Sequence, residues 1–229
     1  MPPKPEEPDD HDKVMGRIGI GWYGISEIPL ADAQPTGTGA APVLTPGNPF
    51  VRQVAAPVIG VRYWLAPKYG IDLGLGIGTT AGSQEASNAS QSVTTDKQSV
   101  FAFMLHGGVP IVFSNDRHVS FQFIPELNLG RAGSTVKAQG TGADLPPDAG
   151  LTGWRFDLGG RAAAEVHFGF INMPRLALEG SVGIYYSIRT ASAEMGNVKR
   201  SDSTNGLTTS SFSNPWDFFR SNVSARYYF

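Results

Sequence analysis

Hydrophobic and polar residues alternate with a period of two over most of the chain after residue 16. In segment 151–168, one face runs from Trp154 to Phe168 and is apolar, whereas the other is polar. Successive side chains of a β-strand point to opposite sides, so this alternation is typical of a strand with one apolar face. An amphipathic helix needs a period of 3.6, which fits this segment poorly.

Eight segments with this alternation predict eight strands. They cover residues 17–25, 58–66, 70–79, 99–113, 118–130, 151–168, 175–190 and 216–229. Pro125 interrupts the fifth segment and predicts a β-bulge there. The connections alternate between long (27–55, 80–98, 131–151, 191–215) and short (66–69, 114–117, 169–174). This alternation predicts an all-β, antiparallel up-and-down barrel with long loops at one end and tight turns at the other.

The first 15 residues differ from the rest of the chain. They are rich in proline and acidic residues and lack the apolar stretch of a signal peptide. Such a segment cannot bury enough apolar surface to order itself. We therefore expect a disordered N-terminal segment at 1–15 and a barrel domain at 16–229.

The composition excludes several classes of protein. The 229 residues contain no cysteine, which removes disulfide frameworks, thiolate metal sites and cysteine nucleophiles. The net charge of −2 gives no basic excess to attract nucleic acid. No run of 18 apolar residues exists, so no transmembrane helix is expected. We expect no cofactor and no metal.

The composition of the polar face indicates which face of the barrel is inside. It carries small residues and charges of both signs, and the chain has twelve arginines but six lysines. None of the lysines falls on a predicted strand. Arginine pairs bidentately with carboxylates, which suits a narrow interior where each buried charge needs a partner. The predicted lumen network is Arg62, Asp72, Glu126, Arg155, Asp157, Arg161, Glu165, Glu179, Arg189 and Arg226.

Aromatic residues of the apolar face lie near the predicted strand ends. Membrane barrels place aromatic girdles at these levels. The predicted girdle is Trp22, Tyr63, Phe113, Trp154, Phe168, Tyr186 and Tyr227. The alternative is a soluble sandwich or barrel in which the same aromatic residues form a dry core.

The chain ends in NVSARYYF, with Phe229 last and Tyr227 on the same face. This ending resembles the assembly signal of bacterial outer-membrane proteins. Together with the strand count and the loop alternation, residues 16–229 resemble the small eight-stranded outer-membrane barrels of the OmpA/OmpX type. The resemblance implies the outer membrane of a Gram-negative bacterium, with periplasmic termini. It also implies contact with outer-membrane lipids and lipopolysaccharide, and with the barrel-assembly machinery during biogenesis.

The expected function is non-enzymatic. Eight strands leave an interior that side chains can fill, so paired charges are expected to plug the lumen. The barrel would then present its loops for envelope integrity, adhesion or binding of an extracellular partner. One alternative is a narrow, porin-like pore or an OmpW-like channel for small or hydrophobic solutes, with strand breaks at Pro57, Pro125 and Pro215. Another is an outer-leaflet lipid-modifying enzyme.

The four histidines do not favour the enzyme. His11 lies in the segment expected to be disordered, and His106 and His167 face the predicted lumen, where structural roles are expected. His118 and Ser120 share one strand face but lie next to a short turn. No histidine lies in a long loop, where an enzyme of the outer leaflet would need one.

Overall fold

Antiparallel β-strands make up most of the chain in the computed structural model, which describes residues 9–31, 33–34, 43–44, 52–87, 92–137, 147–210 and 222–229. The strands are β1 (Ile18–Leu30), β2 (Ala33–Gln34), β3 (Val43–Leu44), β4 (Arg52–Ala66), β5 (Tyr69–Ser87), β6 (Ser92–Gly108), β7 (Ile111–Asp116), β8 (Val119–Val136), β9 (Ala149–Phe168), β10 (Met173–Met195), β11 (Val198–Thr209) and β12 (Val223–Tyr228). Two short 3-10 helices cover Asp12–Val14 and Gly169–Ile171. In this part of the chain, no helix is long and apolar enough to cross a membrane.

Eight of the strands close into a ring. The order around the ring is β1, β4, β5, β6, β8, β9, β10 and β12. Pairing of β12 with β1, from Gly19 opposite Tyr228 to Trp22 opposite Ala225, completes the circle. The structure thus confirms the predicted eight-stranded antiparallel up-and-down barrel.

The two faces of the wall have opposite character. Apolar side chains such as Leu75, Phe101 and Ile184 are more than half exposed on the outside. Charged side chains such as Arg62 and Asp72 are fully buried inside. A soluble barrel has the reverse arrangement, so the alternative with a dry aromatic core is wrong.

Short connections gather at one end of the barrel, at the positions expected for them. They are the turn at 67–68, the turn at 117–118 between β7 and β8, and the helical turn at 169–172. The predicted strand 99–113 is interrupted, because β6 ends at Gly108 and β7 begins after Pro110, which has no N–H to donate.

The bulge predicted at Pro125 is absent, since this residue pairs with Gly160 in unbroken register. On its other edge, β8 pairs with β7 before Pro125 and with β6 after it. Between these two pairings, the carbonyl of Pro125 accepts a hydrogen bond from the N–H of Val109. An edge without a ladder hydrogen bond tolerates proline, so no bulge is needed.

The other end is built from strands that run further than predicted. β5 and β6 pair out to Ser87 opposite Ser92, and β10 turns at 196–197 into β11. Much of the predicted loops 80–98 and 191–215 is therefore β-hairpin, and Lys97 and Lys199 lie on strands after all. These segments are mostly polar, and Ala191 and Ala193, which β10 buries here, are small, so a period-two pattern of hydrophobic residues does not mark them. Residues 35–42, 45–51, 88–91, 138–146 and 211–221, including Pro215, lie outside the described residues.

Strand β1 parts from β12 after Trp22 but stays paired with β4 as far as Leu30. Its register with β4 shifts between Trp22 and Ile25, around Gly24 with φ of +100°. Beyond this bulge the strand continues to Leu30, although a loop was predicted from residue 27, and it places Ile28 and Leu30 fully buried inside the barrel. They belong to an apolar cluster, called the outer cluster below, with Tyr23, Ala31, Val54, Ala56, Val58, Val100, Ala102, Met104, Ala132, Val136, Ala149, Leu151, Ala191 and Ala193.

Residues 9–17 pack against the short-turn end of the barrel. Asp10, His11 and Val14 are buried, and the N–H of Gly16 donates to the carbonyl of Trp64. The disorder expected for residues 1–15 is therefore wrong for residues 9–15, because a few buried contacts outweigh the polar composition. Residues 1–8 lie outside the described residues.

Candidate functional site: the lumen

The lumen network is built by strand alternation. Arg62 on β4 stands directly opposite Asp72 on β5, and both side chains point inward. Glu165 on β9 and Glu179 on β10 are likewise cross-strand partners. Because successive side chains of a strand point to opposite faces, the strands that direct apolar residues outward direct these charged residues into the barrel.

Arg62 lies at the centre of this network. Its Nε and Nη2 donate to the two oxygens of Asp72 at 2.6 and 2.5 Å, which is a bidentate pair. Its Nη1 lies 2.7 Å from Glu179 Oε2 and 3.2 Å from Glu165 Oε2, and it donates to Gln122 Oε1 at 3.0 Å. The guanidinium thereby links strands from both sides of the lumen.

Two further arginines complete the network. Arg226 Nη1 lies 2.8 Å from Glu165 Oε1 and 3.5 Å from Glu179 Oε2. Arg161 Nε lies 2.9 Å from Glu126 Oε2, and Arg161 Nη2 lies within 4 Å of Asp72 and Glu179. Three guanidiniums thus face four carboxylates.

Neutral donors compensate the additional negative charge. Tyr228 Oη and Gln122 Nε2 donate to the two oxygens of Glu165 at 2.9 and 2.7 Å. Tyr23 Oη donates to Asp72 Oδ1 at 3.2 Å, and the Arg226 guanidinium lies 5.0 Å from the Tyr23 ring centre. Buried charges are tolerated only when paired and hydrogen-bonded in this way.

The remaining predicted lumen charges form a separate group. Arg155 Nε donates to Asp157 Oδ2 at 2.8 Å, and Ser187 Oγ donates to Asp157 Oδ1 at 2.6 Å. Arg189 Nε donates to Ser187 Oγ at 3.3 Å. The structure therefore brings the ten predicted lumen charges into two groups, seven around Arg62 and three around Asp157.

The predicted girdle residues all lie on the outer face. Tyr63, Phe113, Phe168 and Tyr227 are near the short-turn end, whereas Trp22, Trp154 and Tyr186 lie further toward the other end. Phe229 contacts Tyr227 with ring centres 5.1 Å apart. Their roles as a girdle and as an assembly signal remain predictions.

Below the charged network, the N-terminal segment closes the short-turn end. The His11 ring packs edge-on against Trp64 at 4.5 Å, and His11 Nε2 lies 3.0 Å from the Pro67 carbonyl oxygen. Trp64 Nε1 donates to Tyr228 Oη at 3.1 Å, which connects this layer to the network above. Burial lowers the pKa of His11, a shift that the Pro67 contact only partly offsets.

Asp10 fixes the same segment to the β7–β8 turn. Its carboxylate lies 2.5 Å from His118 Nδ1 and 2.9 Å from Lys13 Nζ. Burial alone would raise the pKa of Asp10, but the hydrogen bonds and charges of Lys13 and His118 hold it below its usual range.

Sequence reasoning missed two of the three layers of side chains inside the barrel. The outer cluster depends on the inward turn of β1, for which the apolar run around Ile28 and Leu30 was the available signal. The inner layer depends on His11 and Val14 in a segment of polar composition. Of the other histidines, His106 faces the lumen and contacts Asn128, and His167 is buried.

A closed ring with an apolar exterior and a charged, buried interior decides the fold type. The chain has the fold of a small outer-membrane-type β-barrel. No protein-family model matches the chain, and no curated protein matches it.

Two solved outer-membrane proteins are similar in structure. A major outer membrane protein from Thermus thermophilus is 13% identical, with 93% of this chain and 98% of that chain covered and a TM-score of 0.44. Ail, the attachment invasion locus protein of Yersinia pestis, is 11% identical, with 94% and 99% covered and a TM-score of 0.37.

Proposed function

We propose that the protein is a closed, non-enzymatic barrel of the bacterial outer membrane that presents its outer hairpins to the cell exterior. The observation that supports this proposal is that side chains lie inside the barrel at three levels, in the outer cluster, the Arg62 network and residues 9–17. A barrel filled in this way serves as an anchor rather than as a passage.

The proposal assigns an orientation to the barrel. The short turns and both termini face the periplasm, and the β5–β6 and β10–β11 hairpins face outward. The apolar exterior contacts lipid and lipopolysaccharide, and the final residues Tyr227 and Phe229 serve recognition by the assembly machinery. The hairpins then serve envelope integrity, adhesion or binding of an extracellular partner, since binding residues concentrate on segments held by a rigid scaffold.

The natural absence of cysteine allows a direct test of orientation. Asn197→Cys lies in the β10–β11 turn, and Lys68→Cys lies in the β4–β5 turn at the other end. We expect a membrane-impermeant maleimide to label the first variant on intact cells and the second only after the outer membrane is permeabilised. Labelling of Lys68→Cys alone on intact cells would contradict the orientation.

A narrow pore is the second candidate function, and a cavity of about 330 Å³ inside the wall favours it. Arg161 and Glu126 belong both to the lining of this cavity and to the Arg62 network, which places paired charges in the path of a solute. The lining includes several charged side chains, so it suits polar solutes better than the hydrophobic ones of an OmpW-like channel.

A further inference from the structure

The outer face of the barrel changes from apolar to polar toward the hairpin end, which is the end that carries the β5–β6 and β10–β11 hairpins. On each of five strands, an apolar outward residue is followed by a polar one two positions closer to this end. The pairs are Ile77 and Thr79 on β5, Phe101 and Ser99 on β6, Leu129 and Arg131 on β8, Trp154 and Thr152 on β9, and Ile188 and Thr190 on β10. In a membrane barrel, this change marks the level at which lipid tails give way to headgroups.

Arg131 places a guanidinium at this level. Its side chain is exposed, between the buried neighbours Gly130 and Ala132. Its cross-strand partners are Phe103 on β6 and Trp154 on β9, and its guanidinium carbon lies over the Trp154 ring, 5.0 Å from the ring centre. Tryptophan is enriched at the membrane interface, which agrees with this position.

The outer face around Arg131 carries no charge that balances the guanidinium. The outward residues within two positions of Arg131 and of its two cross-strand partners are all uncharged: Phe101, Phe103, Leu105, Leu129, Gly133, Thr152, Trp154 and Phe156. A charge on the lipid face of a barrel is costly in the hydrocarbon region and is tolerated near the headgroups. The surroundings of Arg131 are therefore complementary to an anionic headgroup.

A phosphate fits this arrangement well. A guanidinium pairs with phosphate through two parallel N–H groups, and these remain available when the guanidinium lies over an indole ring. Below Arg131, the outward side chains of Leu127 and Leu129 continue the apolar band on the same strand. A phosphate at Arg131 thus has acyl chains next to it on the side where the wall is apolar.

Hydroxyl groups lie beyond this position on the same face. Thr152 Oγ1 lies 2.7 Å from Ser192 Oγ, and both residues line a cleft of about 470 Å³. The charged groups of this cleft are two carboxylates and one ammonium, from Asp148, Glu194 and Lys199. Glu194 pairs with Gly150, four positions or roughly 13 Å beyond Trp154, too far to compensate Arg131. The cleft therefore suits neutral sugar hydroxyls and not a second phosphate.

We propose that Arg131, Trp154, Thr152 and Ser192 hold the phosphorylated headgroup of an outer-leaflet glycolipid. Arg131 pairs with a phosphate of this lipid, and Thr152 and Ser192 bond to its sugar hydroxyls. The inference rests on the proposed function, which puts the hairpin end in the outer leaflet, and it adds the residues and the headgroup atoms that make the contact.

Native mass spectrometry of the full chain tests this contact. The chain is titrated in polyoxyethylene detergent micelles, which carry neither phosphate nor sugar. The probes are lipid A with two phosphates, the same lipid A without phosphates, and phosphatidylglycerol. We expect lipid A to bind at least about ten-fold more tightly than its dephosphorylated form, because charge-assisted hydrogen bonds to the phosphate are lost. Phosphatidylglycerol, with a phosphate but no sugar, should also bind more weakly than lipid A.

Variants of two exposed arginines separate this contact from general charge effects. Arg131→Gln is expected to weaken binding of lipid A about ten-fold, and Arg131→Lys to retain part of the affinity. Arg175→Gln is the matched control, because Arg175 is also exposed but lies near the short-turn end of β10. The heat-dependent shift of the barrel on gels checks folding of each variant.

Four results would overturn the contact: equal binding of lipid A with and without phosphates, wild-type affinity in Arg131→Gln, an equal loss in Arg175→Gln, or binding of phosphatidylglycerol as tight as that of lipid A. The maleimide experiment reports orientation without any lipid titration. Failure of the lipid contact is therefore distinguishable from failure of the proposed function.

Discussion

At the scale of single residues, Arg62 can be charged and fully buried because residues from four other strands form hydrogen bonds and ion pairs with it. Asp72, Gln122, Glu165 and Glu179 come from β5, β8, β9 and β10. A buried charge without a partner of opposite charge costs several kcal/mol in folding free energy. The buried carboxylates therefore need the Arg62 guanidinium, and the guanidinium needs the carboxylates.

Replacing Arg62 by methionine should therefore strongly destabilise the barrel. We expect a loss of roughly 3–5 kcal/mol in the free energy of unfolding, because the carboxylates around it lose their counter-charge. Urea unfolding in detergent micelles measures this loss. The control is Arg175→Met, at an exposed position, with an expected change within about 0.5 kcal/mol.

A double-mutant cycle sharpens this test. Arg62→Met combined with Asp72→Leu should cost less than the sum of the single changes, because removing both members of a pair leaves fewer orphaned charges. Additive losses would show that Arg62 and Asp72 are not coupled, against the bidentate contact between them.

At the scale of elements, the inward turn of β1 matters most to the outer half of the lumen. Leu30→Ala removes buried methyl groups from the outer cluster and should cost about 2–5 kcal/mol in the free energy of unfolding. Leu207→Ala, at a site 74% exposed on β11, is the matched control and should change stability by less than about 0.5 kcal/mol. Equal effects of the two variants would place Leu30 outside the core.

The N-terminal segment gives the fold a dependence on pH. Burial lowers the pKa of His11 below its ordinary value of 6.5, so the unfolded chain takes up the proton first as the pH falls. The contribution of neutral His11 is complete above pH 6.5 and is lost as the pH falls toward its folded-state pKa.

Comparison with His11→Phe isolates this contribution, because the other titrating groups are common to both proteins. Between pH 7.5 and 5.5, unfolding free energy should fall more steeply in the wild type, by at most about 1.4 kcal/mol per pH unit. Parallel pH profiles of the two proteins would show that His11 is not held neutral by the fold.

Some of these features could be predicted from the sequence and others could not, and the difference has a physical cause. Alternation along a strand fixes the face of a residue, so the inward positions of Arg62 and Glu165 followed from local pattern alone. The turn of β1 around Gly24 depends on the apolar space inside the finished barrel, which no local pattern records. The β10–β11 hairpin has polar residues on both faces, and the docking of His11 depends on a cleft formed by Trp64 and His167.

At the scale of the whole molecule, three layers of side chains follow one another along the inside of the barrel. We expect the wild-type protein in planar lipid bilayers to give no large, stable conductance steps, whereas a general porin in the same bilayers gives them. Leu30→Ala should also stay closed, because the Arg62 network and residues 9–17 remain. Ion-selective steps from pure wild-type protein would reject the closed barrel and favour the pore.

The last strand has a consequence for how the barrel reaches its final form. β12 closes the ring, and it also delivers Arg226 and Tyr228 to Glu165. Without β12, Glu165 would keep Arg62 as its guanidinium and Glu179 would keep Arg62 and Arg161, while the wall would be open along one seam. Closure of the wall and completion of the charge network therefore depend on the same strand, because without Arg226 the four carboxylates would face two guanidiniums instead of three.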